Sequence, residues 1–315
     1  MFKLILQRLG LAVFTLFTVC VLVFGVTEAL PGDVCTAYLG RDAQGIRLDN
    51  CRQARNLDQP ALQRFADWGK GVLQGDLGTS LKRDKPINDL VSTRMRNTAV
   101  LGLGAALIGI PLAIFLGVLA ALRRDRTPDM VISGSSIFAM TIPEFVTATV
   151  LIYVFAIQLQ WFPAVTTVRH NAPLEQLIPN IILPMITLAL VMMAHILRMI
   201  RSAMIDVMAG DFVQMARLKG VPYWRIVFLH ALPSAMLPAI NIIALTIAWL
   251  LGGVVIIEQV FNYPGIGTLM IRAIYDRDLP LVQAIALILA AVYVACNLLA
   301  DLSSLALNPR LRSAR

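Results

Sequence analysis

Charge is scarce in this chain. Asp, Glu, Lys and Arg make up 15% of its 315 residues, against about 25% in ordinary soluble domains. That shortage argues against a soluble globular enzyme, and an apolar share of 58% argues equally against disorder. Histidine is nearly missing: His170, His195 and His230 fall on different segments, so nothing has the spacing of a metal site. No Ser/His/Asp or Cys/His arrangement suited to nucleophilic catalysis is evident, which leaves little room for an intramembrane enzyme. The phosphate-cradling pattern G-x-x-x-x-G-K-[ST] is absent too. Lys70, in Gly69-Lys70-Gly71, lacks both the upstream Gly and the following Ser or Thr. Energy for any transport must therefore come from a partner or an ion gradient.

Long apolar runs are plentiful, and mean hydropathy is +0.74. A membrane helix needs about 20 mostly apolar residues. Six candidates meet this: 9–27, 98–122, 130–159 with an interruption at Pro143-Glu144, 178–200, 238–257 (its start extensible toward Ile226) and 279–307. Runs of this length are too long for barrel strands, so the expected fold is all-α and integral to the membrane. The first run follows Lys3 and Arg8 as a signal peptide would. It is longer than a signal core and no A-x-A site follows, so it reads as a retained helix. In the second run Ala113, Gly117 and Ala121 form a small-xxx-small ladder, read as a packing seam within the subunit. The predicted organisation is an N-terminal helix (1–30), an extracytoplasmic loop or cap (31–97) and a five-helix core (98–315) with a cytoplasmic loop at 206–233.

The formal net charge of +8 is distributed unevenly. Short segments on the side of the two termini carry thirteen Lys/Arg, those opposite only Arg169, Arg272 and Arg277. The positive-inside rule puts both termini in the cytoplasm. The basic excess is thus an orientation signal and a surface for lipid or protein contact, and it requires no nucleic acid. In the long loop, Leu62, Phe65, Trp68 and Val72 recur at helical spacing, as a short amphipathic helix capping the membrane helices would. Cys35 and Cys51 also lie there; an oxidising compartment would let them pair, at about 3 kcal/mol for such a loop in the entropic account. Cys20 and Cys296 fall in apolar runs and read as small hydrophobes.

The cytoplasmic stretch Gly210-Asp-Phe-Val-Gln-Met-Ala-Arg-Leu-Lys-Gly220-Val-Pro222 predicts a helix of about eight residues. Asp211 would cap it, with Gln214 completing a capping box. Gly220 would take the left-handed position after it, and Pro222 would block continuation. Phe212, Met215, Ala216 and Lys219 would share one face. So short a helix must be held by packing, and its rigidity suits docking into another protein's groove.

This stretch resembles the EAA loop of ABC-importer permeases, E-A-A-x3-G-x9-I-x-L-P. Gln214, Met215 and Ala216 stand at the first three positions, Gly220 at the Gly, His230 at the Ile, and Leu232-Pro233 at the end. The departures at Gln214 and Met215 are smaller within the dipeptide, oligopeptide and nickel branch, whose D-[FY]-[VI]-R-T-A-R-A-K-G-L and H-A-L are similar to DFVQMARLKGV and His230-Ala231-Leu232 here. Leu30-Pro31-Gly32-Asp33, Leu57-Asp58-Gln59-Pro60, Gly75-Asp-Leu-Gly-Thr-Ser80, the R-x-x-R-S-x-M-x-x-V run from Arg198, Glu258-Gln-Val-Phe261, Pro264-Gly265-Ile266-Gly267, Arg277-Asp278 and Asn308-Pro309-Arg310 extend the resemblance over nearly the whole chain.

The resemblance implies a non-catalytic permease of the type I importer fold in a bacterial inner membrane. It would be the first of two homologous permeases, working with two ATPase subunits that bind ATP and Mg and with an extracytoplasmic binding protein for peptides or a related solute. It implies no cofactor in this chain. Asp211, Phe212, Gln214, Met215, Ala216, Arg217, Lys219 and Gly220 would be the ATPase-coupling residues. Glu144, about 15 residues into the third run and roughly 22 Å along a straight helix, is an intramembrane carboxylate where the family commonly has a small polar residue. With Pro143 it is a candidate for the translocation pathway. Glu258, Gly265, Gly267 and Arg277 are candidates for contact with the binding protein. His195, Arg198 and Arg201 read as topology signals, lipid contacts or braces, with Asp206 as a possible ion-pair partner. The competing class is a self-sufficient secondary transporter or channel, which internal repeats would favour; none is clear between the two halves.

Overall fold

A computed structural model describes residues 2–29 and 32–307. Leu30 and Pro31 of the L-P-G-D motif, and the basic tail with Asn308-Pro309-Arg310, lie outside the described residues. The chain forms two compact units. The first is Met1–Thr98, Arg169–Asn171 and Pro264–Val294; the second is Ala99–Val168, Ala172–Tyr263 and Ala295–Arg315.

The elements run α1 (Phe2–Ala29), α2 (Val34–Leu39), α3 (Gly45–Ala54), α4 (Ala61–Leu73), a hairpin of β1 (Thr79–Ser80) and β2 (Lys85–Pro86), α5 (Ile87–Leu122), α6 (Thr127–Thr141), α7 (Glu144–Leu151) extended by a π-helical turn, α8 (Leu174–Asn180), α9 (Ile182–Met208), α10 (Asp211–Leu218), α11 (Tyr223–Arg225), a second π-helical turn (Ile226–Ala231), α12 (Leu232–Val260), α13 (Ile266–Tyr275) and α14 (Leu279–Leu307). Among the described residues, five helices are long and apolar enough to cross a membrane, or six if α6 and α7 count as one span.

That pair corrects the third run. It is two helices bent by 108°, not one interrupted rod. The cause is local: Ile142, preceding Pro143, is held at φ −86° and ψ 126°. Pro143 then starts α7 from an extended conformation, so Glu144 is the first residue of α7. Its depth cannot be measured along a straight helix from Met130.

In the first unit, the loop is helical and cross-braced. Asp33 accepts the Thr36 N–H and Thr36 Oγ1 accepts the Asp33 N–H, each at 2.8 Å, closing a capping box on α2. Arg52 of α3 reaches the same carboxylate at 2.7 Å. Burial alone would raise the Asp33 carboxyl, but the Thr36 N–H and the Arg52 guanidinium outweigh it and hold it below the usual range. Cys35 and Cys51 are joined, with sulfurs 2.01 Å apart. The amphipathic segment is α4, and it lies along α1: Phe65 packs on Phe24 at 4.9 Å between ring centres, and Arg64 pairs with Glu28. Leu62 departs from the expected inward face and is exposed.

The same unit has a hub at Asp278, fully buried at the start of α14. It accepts the Ser80 hydroxyl, the Leu81 N–H at 3.0 Å and the Lys82 N–H at 3.4 Å, and lies 3.5 Å from Arg83, which also reaches Asp276. The hairpin at the end of Gly75–Ser80 is thereby tied to residues far along the chain. Asp278→Ala leaves several donors unanswered, and we expect a loss of about 3 kcal/mol. Limited proteolysis should then cut residues 79–86 faster. Asp278→Asn, which keeps an acceptor, should lose less.

In the second unit α9 is the axis. Leu188, Met192, Ile196, Ile200 and Met204, four residues apart, are all completely buried. In lipid such a stripe is held by close packing more than by escape from water. On α5, Ala105, Gly109, Ala113 and Gly117 form a buried ladder against it. Gly109 faces Ala189 and Met192, and Gly117 faces Leu197 and Ile200. The seam is thus internal to the subunit.

Candidate functional site

The short helix expected after the fourth apolar run is present as α10, eight residues long. Its N-terminus differs from expectation. Gly210, at φ −71° and ψ 150°, is the N-cap, and no side-chain capping bond forms. The close succession of α9 and α10 explains this: the Gly210 N–H still bonds Val207 O at 3.1 Å, so Gly210 makes the corner. Asp211 is already helical, and neither it nor Gln214 builds a capping box. The Asp211 carboxylate instead lies in the first turn, where the helix dipole favours a negative charge.

The C-terminus matches expectation. Gly220 has φ +72°, its N–H bonds Arg217 O at 2.9 Å, and the Val221 N–H bonds Ala216 O at 3.1 Å. This is a Schellman closure. Val213 is the inward anchor, with no exposure, and α10 lies against the π-helical turn Ile226–Ala231. Phe212, Met215 and Leu218 face outward at 48%, 55% and 82% exposure. Asp211, Gln214, Arg217, Lys219 and Gly220 are exposed as well, and Ala216 is half-buried. The sequence reading missed Leu218 on this face and Val213 beneath it. For Leu218 the signal available was its i, i+3 spacing from Met215 and Phe212; Val213 stands off that series.

Other candidates separate into buried and accessible groups. Glu144 is half-buried and its Oε2 has no hydrogen-bond partner; Pro143 beside it is exposed. Glu258, Gly265 and Gly267 are buried, so they present no surface for direct docking, whereas Arg277 is exposed, at φ +54°. Gly265 caps α13, a ten-residue apolar helix too short to cross a membrane. Its first N–H, from Ile266, bonds Thr98 Oγ1 at 2.9 Å, and Asn97 Nδ2 bonds Pro264 O at 2.9 Å and His170 O at 2.8 Å. These two residues at the start of an apolar run escaped the sequence reading because their partners are remote in the chain.

Arg201 pairs with Asp129 and not with Asp206. Its Nε and Nη2 donate to the two carboxylate oxygens at 2.5 and 2.6 Å. Arg198 and His195 lie about one and two turns away on the same helix, both exposed. Among the described residues no group of three or more His, Cys, Asp or Glu could hold a metal ion.

Several apolar spans, a broken helix and a rigid outward helix between two spans define a multi-pass membrane transport component. The chain belongs to the family described as binding-protein-dependent transport system inner membrane component, which matches residues 113–313; the corresponding N-terminal family model matches residues 1–101. It is 33% identical over 308 residues to a probable peptide ABC transporter permease of Sinorhizobium fredii, covering 98% of each chain. It is 34% identical over 311 residues to a putative peptide transport system permease of Brucella suis, covering 98% of this chain and 99% of that one. Over 312 residues it is 33% identical to a glutathione transport system permease of Escherichia coli, covering 99% of each. The chain is a permease subunit of an ABC importer, and ATP hydrolysis belongs to partner subunits.

Proposed function

We propose that this permease pairs with a second, homologous permease above two ATPase subunits. It would import peptides, or a related small solute, delivered by an extracytoplasmic binding protein. The peptide class rests on the names of the relatives, among which a glutathione permease is the nearest chemical variant. The Lys/Arg distribution supports cytoplasmic termini, with α10 on the same side. An N-terminal helix (1–30), an extracytoplasmic cap (31–97) and a core (98–315) fit this arrangement.

The observation that carries the proposal is α10: a closed, two-turn helix anchored inward by Val213 and presenting Phe212, Met215 and Leu218 outward. Seated in an ATPase groove, it would move as a rigid body when the ATPases close around nucleotide, shifting the permeases between inward-open and outward-open states. Asp211, Gln214, Ala216, Arg217, Lys219 and Gly220 would flank or shape that contact. Pro143 and Glu144, at the break between α6 and α7, would border the pathway, with Glu144 available to a cationic group of the cargo. Arg277 would meet the binding protein. Glu258, Gly265 and Gly267 would contribute only through the backbone they shape.

The test is Met215→Asp and Leu218→Asp, with Leu73→Asp, an exposed leucine in α4, as control. Each charge in a desolvated groove should weaken ATPase association by at least about 30-fold. The ATPases should be lost from the affinity-purified complex while the permease remains in the membrane. Undiminished ATPase recovery and uptake with both substitutions combined would refute the coupling role.

A further inference from the structure

A cavity of about 660 Å³ opens in the second unit. His195, Arg198, Arg201 and Ser202 of α9 form one side, and Ile242 and Thr246 of α12 stand opposite. The size suits a small-molecule ligand. His195, Arg198 and Ser202 are spaced i, i+3 and i+7, so they stack along one helix face. Among the described residues no carboxylate lines the cavity. The Arg201 charge is already answered by Asp129 behind it. Among the described residues Arg198 has no ion-pair partner, so the cavity carries a net positive charge at Arg198. A guanidinium on a membrane helix is costly unless it meets water or an anion, and such residues commonly face a solute path. The apolar wall of Ile242 and Leu245 lowers the local dielectric and strengthens attraction for an anion.

We propose that Arg198, with His195 and Ser202 beside it, forms a carboxylate-binding station on the transport path. It would hold the terminal carboxylate of a zwitterionic or anionic solute through the planar guanidinium. This deepens the importer reading and rests on it for the identity of the solute, but the anion site itself can be tested separately.

The first experiment uses Ser202→Cys in membranes containing the assembled transporter, with Cys20 and Cys296 replaced by Ala. An anionic methanethiosulfonate should label Cys at position 202 at least about 5-fold faster than a cationic one, as local attraction raises the encounter rate. Adding Arg198→Gln should cancel the preference, and Arg198→Lys should keep it. A preference that is absent, reversed or unmoved by Arg198→Gln overturns the site. The second experiment compares uptake of a tripeptide with that of its C-terminal amide. Arg198→Gln should lower uptake of the free acid by about 10-fold or more and leave the amide nearly unchanged. Equal loss for both indicates a structural or lipid-phosphate contact and overturns the carboxylate role. If the unsubstituted transporter imports neither peptide, the cargo assignment fails, and the labelling result still decides the anion site.

Discussion

Asp129→Ala should lower the stability of the permease by about 3–5 kcal/mol, more than any surface substitution could. The Asp129 carboxylate, only 3% exposed, receives four donors: both arms of Arg201, the Asp125 N–H at 3.0 Å and the Ser133 hydroxyl at 3.0 Å. It lies in the first turn of α6, and Arg201 lies in the lower half of α9, so the pair fastens two helices at one level. Removing the carboxylate strands a partly buried guanidinium. Arg201→Ala strands a buried carboxylate and should be as severe, and Asp129→Asn should be intermediate. Replacing both together, Asp129→Leu with Arg201→Met, removes the charges as well as their mutual attraction. It should recover much of the loss, because an apolar pair avoids the desolvation cost. Thermal midpoints of the detergent-purified complex and its abundance in membranes measure the series. A double replacement as damaging as the sum of the singles would contradict the account.

Features set by local rules were legible in the sequence. The apolar runs foretold the long helices, because only length and hydropathy decide whether a segment can span lipid. The Schellman end of α10 followed from one residue, Gly220, which alone there can take φ +72° without strain. Features depending on remote partners were not legible. Nothing in the spacing singled out Asp129, and the partner offered to Arg201 was its near neighbour Asp206. Only the packing of α6 on α9 chooses between them. The N-cap of α10 failed for a related reason: Asp211 is an ideal capping residue, but the corner from α9 places Gly210 there first. Asn97 and Thr98 hold segments distant in the chain, so spacing carried no trace of them, and Asp278 stood out only within the Arg277-Asp278 motif, without its partners. The break at Pro143 was visible as a Pro-Glu interruption, but its 108° bend was not, since a proline can kink a helix or end it.

Gly117→Leu should be the most damaging substitution along the seam between α5 and α9, at about 3 kcal/mol or more. A Cβ at residue 117 would stand 2.9 Å from Ile200 Cβ and Cγ2 and 2.9 Å from the backbone carbonyl oxygen of Leu197. The carbonyl belongs to the α9 hydrogen-bond ladder and cannot swing away, so the two helices must separate. In lipid that separation forfeits the close packing that holds them. Gly104 provides the contrast. A Cβ there meets the terminal methyl and sulfur of Met185, the flexible end of a side chain, so Gly104→Ala should cost less than about 1 kcal/mol. Gly102 has open space at the same position and should tolerate Ala without loss. Gly117→Ala gains about 1 kcal/mol of helix propensity but meets the same carbonyl, so it should fall between these extremes. Ile200→Ala added to Gly117→Ala removes the side-chain half of the clash and leaves the Leu197 carbonyl. The pair should therefore recover part of the loss in the thermal midpoint of the purified complex. Complete recovery would show that the carbonyl does not limit helix approach, and an effect of Gly102→Ala equal to that of Gly117→Leu would show that the seam does not run along this face.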